Sequence, residues 1–456
     1  MLMTTLNDTQ LRDVQYQLHP YTNAVVHQRT GPIVIERGEG VYVYDDQGRR
    51  YLEGMAGLWS VAVGFGEQRL VEAATRQLQK LPYYHTFTHK SHAPAIELAE
   101  RLIGYTEGRM AKAFFTNSGS EANDTVIKLV WYYNNALGRP DKKKIIARQR
   151  GYHGVTVASA SLTGLAGNHK DFDLPLPRML HTACPHHYRN APPGESEEDY
   201  ATRLAAELEA LILREGPDTI AAFIGEPVMG AGGVIVPPRT YWQKIQAVCR
   251  KYDVLVIADE VITGFGRLGQ RFGSDVLGIE PDIMVLSKQI TSSYQPLGAV
   301  LMNAKVTDAV AAHSGQLGTF GHGYTASGHP VATAVALENL NIIDERGLIE
   351  HAAEMGELLQ QELRALADHP LVGEVRGLGL IAGVELVADK ASRRPFDPLG
   401  KAGAHAYERA HAHGLIVRGI QDTVAFCPPL IIEAAQVRDM VQRFAATLED
   451  VSAFVA

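Results

Sequence analysis

The sequence predicts an α/β fold with a mostly parallel sheet that is covered by helices on both faces. Through the central part of the chain, short apolar runs alternate with amphipathic stretches of helical period, in units of about 30 residues. No internal repeat or low-complexity tract interrupts this alternation. At 456 residues the chain is too long for one ordinary hydrophobic core, so we expect roughly two to three domains.

The elements follow in order along the chain. Residues 40–48 end in a turn of Asp, Gln and Gly, and Arg50–Leu52 follow it. This pattern predicts a β-hairpin. The central sheet is predicted from six apolar runs: Ala113–Phe115, Lys144–Ala147, Ile220–Ile224, Val254–Ala258, Ile283–Leu286 and Ala299–Met302. After Pro330 we expect long helices at Ala334–Ile343 and Leu348–Leu366, a strand at Val384–Leu386 and a closing helix from Glu433.

This order predicts two domains. Residues 1–65 and 331–456, from the two chain ends, form a small α+β domain, and residues 66–330 form a large central domain. The boundaries follow the change from alternating strands and helices to long helices after Pro330.

Composition excludes several classes of protein. The chain is 46% hydrophobic and 21% charged, with a formal net charge of −8 at pH 7, which argues against nucleic acid as a partner. Three widely spaced cysteines argue against a disulfide framework and favour a reducing compartment. Residues 1–17 lack the pattern of a signal peptide, and no run of about 18 apolar residues occurs, so we expect a cytoplasmic protein without a membrane segment.

Two apolar strands end in an acid and in an amine. Val254–Ala258 runs into Asp259, and Ile283–Leu286 runs through Ser287 into Lys288. A buried lysine and a buried carboxylate at neighbouring strand ends suit a Schiff-base lysine and the partner of a pyridine nitrogen. Either residue alone is more often a solvated strand end, so the rest of the sheet must supply further evidence.

A candidate phosphate site follows the strand at residues 113–115. The chain breaks at Gly119 and Ser120, and a helix opens with small and acidic residues. Free N–H groups and the dipole at the start of a helix can hold a phosphate dianion, with the Ser120 hydroxyl as a further donor. An ordinary capping box from Ser118 to Glu121 explains the same pattern.

An aromatic pair, Tyr152 and His153, lies between Gly151 and Gly154. The glycines allow the backbone to approach a flat ligand, and an aromatic face parallel to a ring would fix its tilt. The alternative is a buried loop tyrosine with a satisfied hydroxyl.

Two rival chemistries have weaker support. The segment Gly264–Gly269 fits a dinucleotide motif, but no clear helix follows, and no strand ends in an acid about 20 residues later. Cys184 with His186 and His187, and the trio of His85, His89 and His92, could suggest a metal, but closed zinc sets of paired cysteines are missing. We predict neither a nicotinamide cofactor nor a metal.

Together these features resemble the class III (omega) aminotransferases, which depend on pyridoxal 5′-phosphate and have fold type I. The resemblance extends from about Tyr16 to the C-terminus. It rests on the motifs Asn117-Ser-Gly-Ser-Glu-Ala-Asn123, Gly225-Glu-Pro227, Ala258-Asp-Glu-Val261 with Gly264-Phe-Gly-Arg267, Ser287-Lys288 and Gly323-Tyr-Thr-Ala-Ser-Gly-His-Pro330. The glycine motif then belongs to the loop after the catalytic aspartate.

The resemblance implies a role for each matching residue. Lys288 holds the cofactor covalently and Asp259 pairs with its ring nitrogen. Gly119 and Ser120 bind the cofactor phosphate, and Thr325 binds the phosphate in the partner subunit's site. Tyr152 and Val261 pack on the two faces of the ring, and Glu226 lies near the ring hydroxyl. The active unit implied is therefore a homodimer, or a tetramer, with its sites at the interface.

Within the family, the sequence is most similar to the omega-amino acid:pyruvate branch. The branches that act on ornithine and 4-aminobutyrate have a glutamate that holds a switch arginine in place, and this sequence has Ala231 at that position. Arg418 instead matches the mobile arginine of the pyruvate branch. Trp59 and Phe87 match aromatic walls of the substrate pockets, with Phe87 serving the partner's site. Without the family match, Arg418 could be a surface residue, and Trp59 and Phe87 could be core residues.

We therefore expect a transaminase that moves an amino group from an omega-amino acid, diamine or primary amine to pyruvate by a ping-pong mechanism. The alternatives are a putrescine or taurine:pyruvate enzyme, an enzyme of the same family that uses 2-oxoglutarate, an aminomutase of the same fold, and a non-catalytic cofactor-dependent sensor. The intact pair of Lys288 and Asp259 argues against the sensor.

Overall fold

The computed structural model describes residues 6–455. Residues 1–5 and 456, which the predicted small domain includes, lie outside this range. Among the described residues, no helix has both the length and the apolar composition that a membrane span requires.

The N-terminal part contains two helices, a small sheet and a short helical turn. Its elements are α1 (Asp8–Tyr16), α2 (Ala24–Thr30), β1 (Ile35–Glu39), β2 (Tyr42–Asp45), β3 (Arg50–Glu53) and α3 (Ala56–Trp59). β2 and β3 pair antiparallel, which confirms the predicted hairpin. The turn forms because Asp45 accepts hydrogen bonds from the main-chain N–H groups of Gln47 and Arg49, and Gly48 adopts a φ of 78°.

The central part forms a seven-stranded sheet. Its elements are α4 (Gln68–Lys80), α5 (Ala93–Gly104), β4 (Lys112–Thr116), α6 (Gly119–Ala136), β5 (Lys144–Arg148), α7 (Val157–Leu162), β6 (Met179–Thr182), α8 (His187–Asn190), α9 (Glu197–Glu215), β7 (Ile220–Gly225), α10 (Tyr241–Lys251), β8 (Leu255–Asp259), α11 (Gly273–Leu277), β9 (Ile283–Leu286), β10 (Gly298–Met302) and α12 (Ala304–Leu317). The strand order is β4-β10-β9-β8-β7-β5-β6.

The sheet is mostly parallel, as predicted, because only β10 runs antiparallel to its neighbours. All six predicted strands are present, and the sequence missed only β6 of this sheet. β6 is a four-residue edge strand whose polar His181 and Thr182 follow a proline-rich segment, so it lacks the apolar run that marks a buried strand.

Alternate side chains of each strand point to opposite faces of the sheet. Ile257 and Val285 pack in the cluster that includes α6, whereas Val256 and Ala258 pack in the cluster that includes α9 and α10. Burying each Val or Ile side chain contributes about 1.5–3 kcal/mol. The parallel strands β7, β8 and β9 are buried throughout, so their carboxyl ends are held at one edge of the sheet.

The C-terminal part contains α13 (Pro330–Glu345), α14 (Leu348–Arg364), β11 (Val372–Gly377), β12 (Ala382–Leu386), α15 (Lys401–Ala412), β13 (Leu415–Ile416), β14 (Arg418–Ile420), β15 (Thr423–Phe426) and α16 (Ala434–Val455). β13 pairs parallel with β3, so the two chain ends share one sheet, and β11-β12-β15-β14 form another. The predicted helices and strand of this part are confirmed.

Candidate active site

A cavity of about 190 Å³ lies at the carboxyl ends of β8 and β9. Parallel α/β sheets bind ligands in this kind of crevice. Ten residues singled out from the sequence line it, and they come from both the central sheet and the chain ends: Trp59, Gly119, Ser120, Tyr152, Glu226, Ala231, Asp259, Val261, Lys288 and Arg418.

Lys288 lies directly after β9, on a turn with unusual backbone geometry. Its φ is 49°, in the left-handed region, which costs an ordinary residue about 1–3 kcal/mol. The next residue holds the turn in place, since the Gln289 side-chain amide donates to the carbonyls of Ile262 and Gly264, each at 2.8 Å. Burial lowers the pKa of Lys288 to about 8, although Asp259 and Glu226 oppose the shift. The amine is therefore far more often neutral than an exposed lysine.

Asp259 is buried at the end of β8, next to β9. Its Oδ2 accepts a hydrogen bond from Asn123 Nδ2 at 2.9 Å and lies 2.7 Å from His153 Nδ1. Its Oδ1 accepts from the main-chain N–H of Val261 at 3.2 Å. These contacts fix the direction of the carboxylate and leave Oδ1 with capacity for another donor.

Glu226 follows β7 and is fully enclosed. Its two oxygens accept from the main-chain N–H groups of Tyr152 and Gly230, each at 3.0 Å. Burial raises the pKa of Glu226, with the nearby Asp259 charge adding to the shift and His153 opposing it. Glu226 thus joins the loop that carries Tyr152 to the loop that carries Ala231.

The start of α6 provides unpaired N–H groups. Ser118 is the N-cap and accepts from the N–H of Glu121 at 3.1 Å, so the capping contact expected from the sequence is present. Within the described chain, the N–H groups of Gly119 and Ser120 donate to no protein acceptor. Both residues line the cavity, where the dipole of an 18-residue helix favours an anion.

The cradle is narrow because Gly154 lies against it. A Cβ on Gly154 would lie 2.7 Å from Ser120 Oγ and 2.4 Å from Ser159 Oγ. The main-chain N–H of Val155 donates to Ser120 Oγ at 3.2 Å, which orients this hydroxyl. A side chain at residue 154 would therefore displace Ser120, one of the two residues whose N–H groups are free at the start of α6.

Tyr152 and Val261 both line the cavity. A Cβ on Gly119 would contact Val261 at 3.2 Å, so the phosphate cradle and the Val261 side chain are close neighbours. Burial raises the pKa of Tyr152, and the nearby Tyr21 raises it further, so its phenol stays protonated.

Trp59 reaches the cavity through a strained loop after β3. Ala56, Gly57 and Trp59 all have positive φ, at 48°, 67° and 64°. The buried carboxyl group of Glu53 accepts the main-chain N–H of Met55 at 2.8 Å. This single side chain therefore organises the loop that places Trp59.

Arg418 enters from the opposite chain end, on β14. No ion pair in the described part of the chain includes this guanidinium. A half-buried arginine at the rim of a cavity, without a carboxylate partner there, is available to an anionic ligand.

Phe87 and Thr325 do not line this cavity. Phe87 is 41% exposed and lies against Gly323, two residues before the exposed Thr325. Tyr83 connects the two segments, since its hydroxyl donates to the Thr325 carbonyl at 2.8 Å. The two residues that the resemblance assigns to the partner's site therefore share one exposed surface.

Four cavity residues were missed by sequence reasoning: Tyr21, Leu58, Leu165 and Ile262. His153 and Asn123 were noticed without a role of their own. Asn123 could have been assigned to the cavity, because it lies one helical turn after Gly119. Tyr21 carries no such signal, since a solvent-exposed turn between two N-terminal helices brings it to the cavity.

The donor set fits a flat, phosphate-bearing pyridine aldehyde. The free N–H groups at the start of α6 fit its phosphate. The remaining acceptor capacity of Asp259 Oδ1 fits a protonated ring nitrogen, and Lys288 provides an amine of low pKa for the aldehyde.

Comparisons with known proteins agree with this chemistry. The family model "Aminotransferase class-III" matches residues 24–448. The chain is 51% identical over 450 residues to a chloroplastic gamma aminobutyrate transaminase 3 of Solanum lycopersicum, covering 97% of this chain and 86% of that protein. It is 51% identical over 433 residues to a mitochondrial gamma-aminobutyrate transaminase 1 of Oryza sativa subsp. japonica, covering 95% and 84%.

Solved structures match over nearly the whole chain. An omega transaminase from Pseudomonas jessenii in complex with PMP is 65% identical, with a TM-score of 0.97, and the match covers 98% of this chain and 99% of that one. A structure described as a transaminase with L-ala is 62% identical, with a TM-score of 0.92, covering 93% and 100%.

Proposed function

Because this chain belongs to the class III aminotransferases, which use pyridoxal 5′-phosphate and have fold type I, we propose that it transfers an amino group from an omega-amino acid, diamine or other primary amine to pyruvate. The products are a carbonyl compound and alanine. The observation that carries this proposal is the convergence of Lys288, Asp259 and Arg418 on one cavity.

Lys288 supplies the proton-transfer group. When bound, the cofactor supplies an aldehyde that takes up the amino group and a protonated ring that withdraws electrons from the substrate carbon. Lys288 Nζ, neutral more often because its pKa is lowered to about 8, can accept a proton from that carbon and return it. The buried position excludes bulk water from this transfer.

Asp259 holds a proton at the ring nitrogen. Its carboxylate is fixed by Asn123 and His153, so little reorganisation is needed to keep its charge beside the ring. Glu226 holds the Tyr152 loop through a main-chain hydrogen bond, and Tyr152 and Val261 then restrict the ring to one plane.

The acceptor proposed is pyruvate. Ala231 provides no carboxylate to hold Arg418 away from the cavity, so the guanidinium is free to pair with a substrate carboxylate. The relative described with L-ala supports this choice, since alanine is the amino product of pyruvate. A 2-oxoglutarate-using enzyme is the second candidate.

The leading donor is an omega-amino acid, with 4-aminobutyrate first, because relatives 51% identical carry that name. Trp59, Leu58 and Ile262 give the cavity apolar walls that also suit an arylalkylamine. Diamines such as putrescine, and taurine, are the alternative donors.

The active unit proposed is a homodimer, or a tetramer built from two such dimers, with Phe87 and Thr325 completing the partner's site. The support is the exposed surface that carries both residues together with Tyr83 and Tyr84. We also propose a cytoplasmic location, since Cys184, Cys249 and Cys427 are all free thiols.

A donor and acceptor panel tests the substrate proposal. Purified protein with pyridoxal phosphate is assayed with 4-aminobutyrate, β-alanine, 6-aminohexanoate, putrescine, taurine and 1-phenylethylamine, each with pyruvate and with 2-oxoglutarate. We expect alanine from at least one omega-amino acid and little glutamate. Faster glutamate formation than alanine formation with every donor would establish the second candidate instead.

A further inference from the structure

Three N-terminal side chains converge outside the cofactor cavity. Asp13 lies on α1, His27 on α2, and His19 on the turn between these helices. His19 Nε2 lies 2.9 Å from both Asp13 oxygens, and His27 Nε2 lies 3.0 Å from Asp13 Oδ1. The two imidazole rings are 4.2 Å apart between centroids. The proposed transamination uses none of these three groups.

Their spacing is close to that of a metal coordination sphere. All three ligand atoms lie within 4.8 Å of one another. A tetrahedral Zn²⁺ with bonds of about 2.1 Å places its ligand atoms about 3.4 Å apart. Shifts of about 0.5 Å would reach this spacing from the 2.9 and 3.0 Å that separate Asp13 Oδ1 from His19 Nε2 and His27 Nε2. Two imidazoles and one carboxylate form a set that suits first-row transition ions rather than Mg²⁺ or Ca²⁺.

The surroundings also favour a cation. An adjoining cavity of about 270 Å³ leaves room for water ligands, and its polar side chains include Gln17, Thr22 and Gln28. No lysine or arginine is among the residues that line this cavity.

A second cluster of the same residue types provides a contrast. His186 lies near Glu374 and Glu385, but Arg376 already pairs with both carboxylates, at 2.7 and 2.5 Å. A guanidinium at the centre of a site opposes a divalent ion. Among residues 6–455, the trio of His85, His89 and His92 that the sequence suggested does not converge.

We propose that Asp13, His19 and His27 bind one divalent transition metal ion, of which Zn²⁺ is the leading candidate. The ion would join α1 to α2 and fix the turn between them. This site goes beyond the proposed transaminase function and does not depend on it.

The turn connects the site to the cofactor cavity. Tyr21 lies two residues after His19, lines that cavity and accepts a hydrogen bond from Asn168 Nδ2 at 2.5 Å. An ion held by His19 would therefore restrain Tyr21, which lines the same cavity as Tyr152. We expect metal binding to protect the segment between α1 and α2 from proteolysis.

Calorimetric titration of the untagged holoenzyme, stripped with EDTA, tests the site. We expect one Zn²⁺ per chain with a Kd of about 10 μM or tighter, and visible absorption when Co²⁺ is the probe. Asp13→Asn and the double variant His19→Gln/His27→Gln should weaken binding at least about 10-fold. His89→Gln, which changes an exposed histidine outside the cluster, should bind as the parent does.

The holoenzyme spectrum provides the folding control, because the cluster lies outside the cofactor cavity. Binding only near millimolar Zn²⁺ would overturn the proposal, since the triad would then be a hydrogen-bonded link between two helices. Tight binding that persists unchanged in the Asp13→Asn and double variants would also overturn it, because the ion would lie elsewhere.

Discussion

Lys288 differs from a surface lysine in both backbone and environment. Its positive φ places the side chain at the cavity, and burial lowers its pKa to about 8. The lysine of a reactive pair must be neutral to attack a carbonyl carbon. Strain and desolvation at this one residue therefore have a functional reason, and the neighbouring Gln289 provides the hydrogen bonds that maintain them.

The lowered pKa predicts how cofactor uptake depends on pH. Because the charged form of Lys288 is unreactive, the rate of covalent attachment to the apoenzyme should rise with pH and reach half its maximum near pH 8. Stopped-flow absorbance of the bound cofactor measures this rate. A midpoint near 10.5, the ordinary value for lysine, would contradict the environment described for Lys288.

A second prediction at this scale concerns Arg418. Arg418→Met removes the charge-assisted contact with a substrate carboxylate, worth about 1.5–3 kcal/mol, or roughly 10- to 150-fold in affinity. The KM for pyruvate and 4-aminobutyrate should rise by this factor, while the half-reaction with 1-phenylethylamine stays near the parent rate. The exposed Arg76→Met serves as the matched control. An equal loss of activity with 4-aminobutyrate and with 1-phenylethylamine would contradict the assignment of Arg418 to the substrate carboxylate.

The loop after β5 and the start of α6 form the proposed phosphate site together, and Gly154 is the position where the two segments touch. Gly154→Ala places a methyl group against Ser120 Oγ and Ser159 Oγ on a φ of 133°, which L-residues rarely adopt. We expect the cofactor Kd to rise at least about 10-fold. Gly167→Ala, in the next loop, meets open space and should change nothing. Fluorescence titration measures the cofactor Kd of each variant. The same Kd for both variants would contradict the role of Gly154 in phosphate binding.

The loop of Trp59 depends on Glu53. Burial raises the pKa of Glu53 from its ordinary 4.5 to about 8, so the folded protein holds this proton more tightly than the unfolded chain does. The stability associated with Glu53 is therefore complete below pH 4.5 and is lost as pH rises through 8. Glu53→Gln lacks this titration, so the variant should not lose this stability as pH rises. The difference obtained by subtracting the parent's melting temperature from the variant's should therefore increase from pH 5 to pH 8. Parallel melting profiles would show that Glu53 titrates normally.

Strands that consist of apolar residues were predictable, and a strand with polar residues was not. Six strands of the central sheet contain apolar runs, including the four-residue β9, whereas two of the four residues of β6 are polar. Nothing in the sequence marks Glu53 as buried, since its carboxyl group accepts a main-chain N–H, that of Met55, from the loop that follows it.

At the scale of the whole molecule, the site joins distant parts of the chain. The pairing of β3 with β13 brings Trp59 and Arg418 to the carboxyl ends of the central strands. This pairing also supports the proposed division into residues 1–65, 66–330 and 331–456. Local sequence motifs identified Lys288, Asp259 and the start of α6 as cavity residues. Tyr21 belongs to no such motif, and only the folded structure shows that it lines the cavity.

The exposed apolar residues of one chain support assembly. Tyr83, Tyr84 and Phe87 are each more than 40% exposed, and they lie beside the segment that contains Thr325. A second copy that covers this surface would bury them and complete each cofactor site.

The most direct test of the central claim is to locate the covalent bond. The holoenzyme is reduced with borohydride, digested and analysed by mass spectrometry. We predict a single modified peptide in which Lys288 carries the reduced cofactor, and no such peptide when the substrate amine has first converted the cofactor to its amine form. A label on another lysine, or an unlabelled Lys288 in protein that binds the cofactor, would contradict the account.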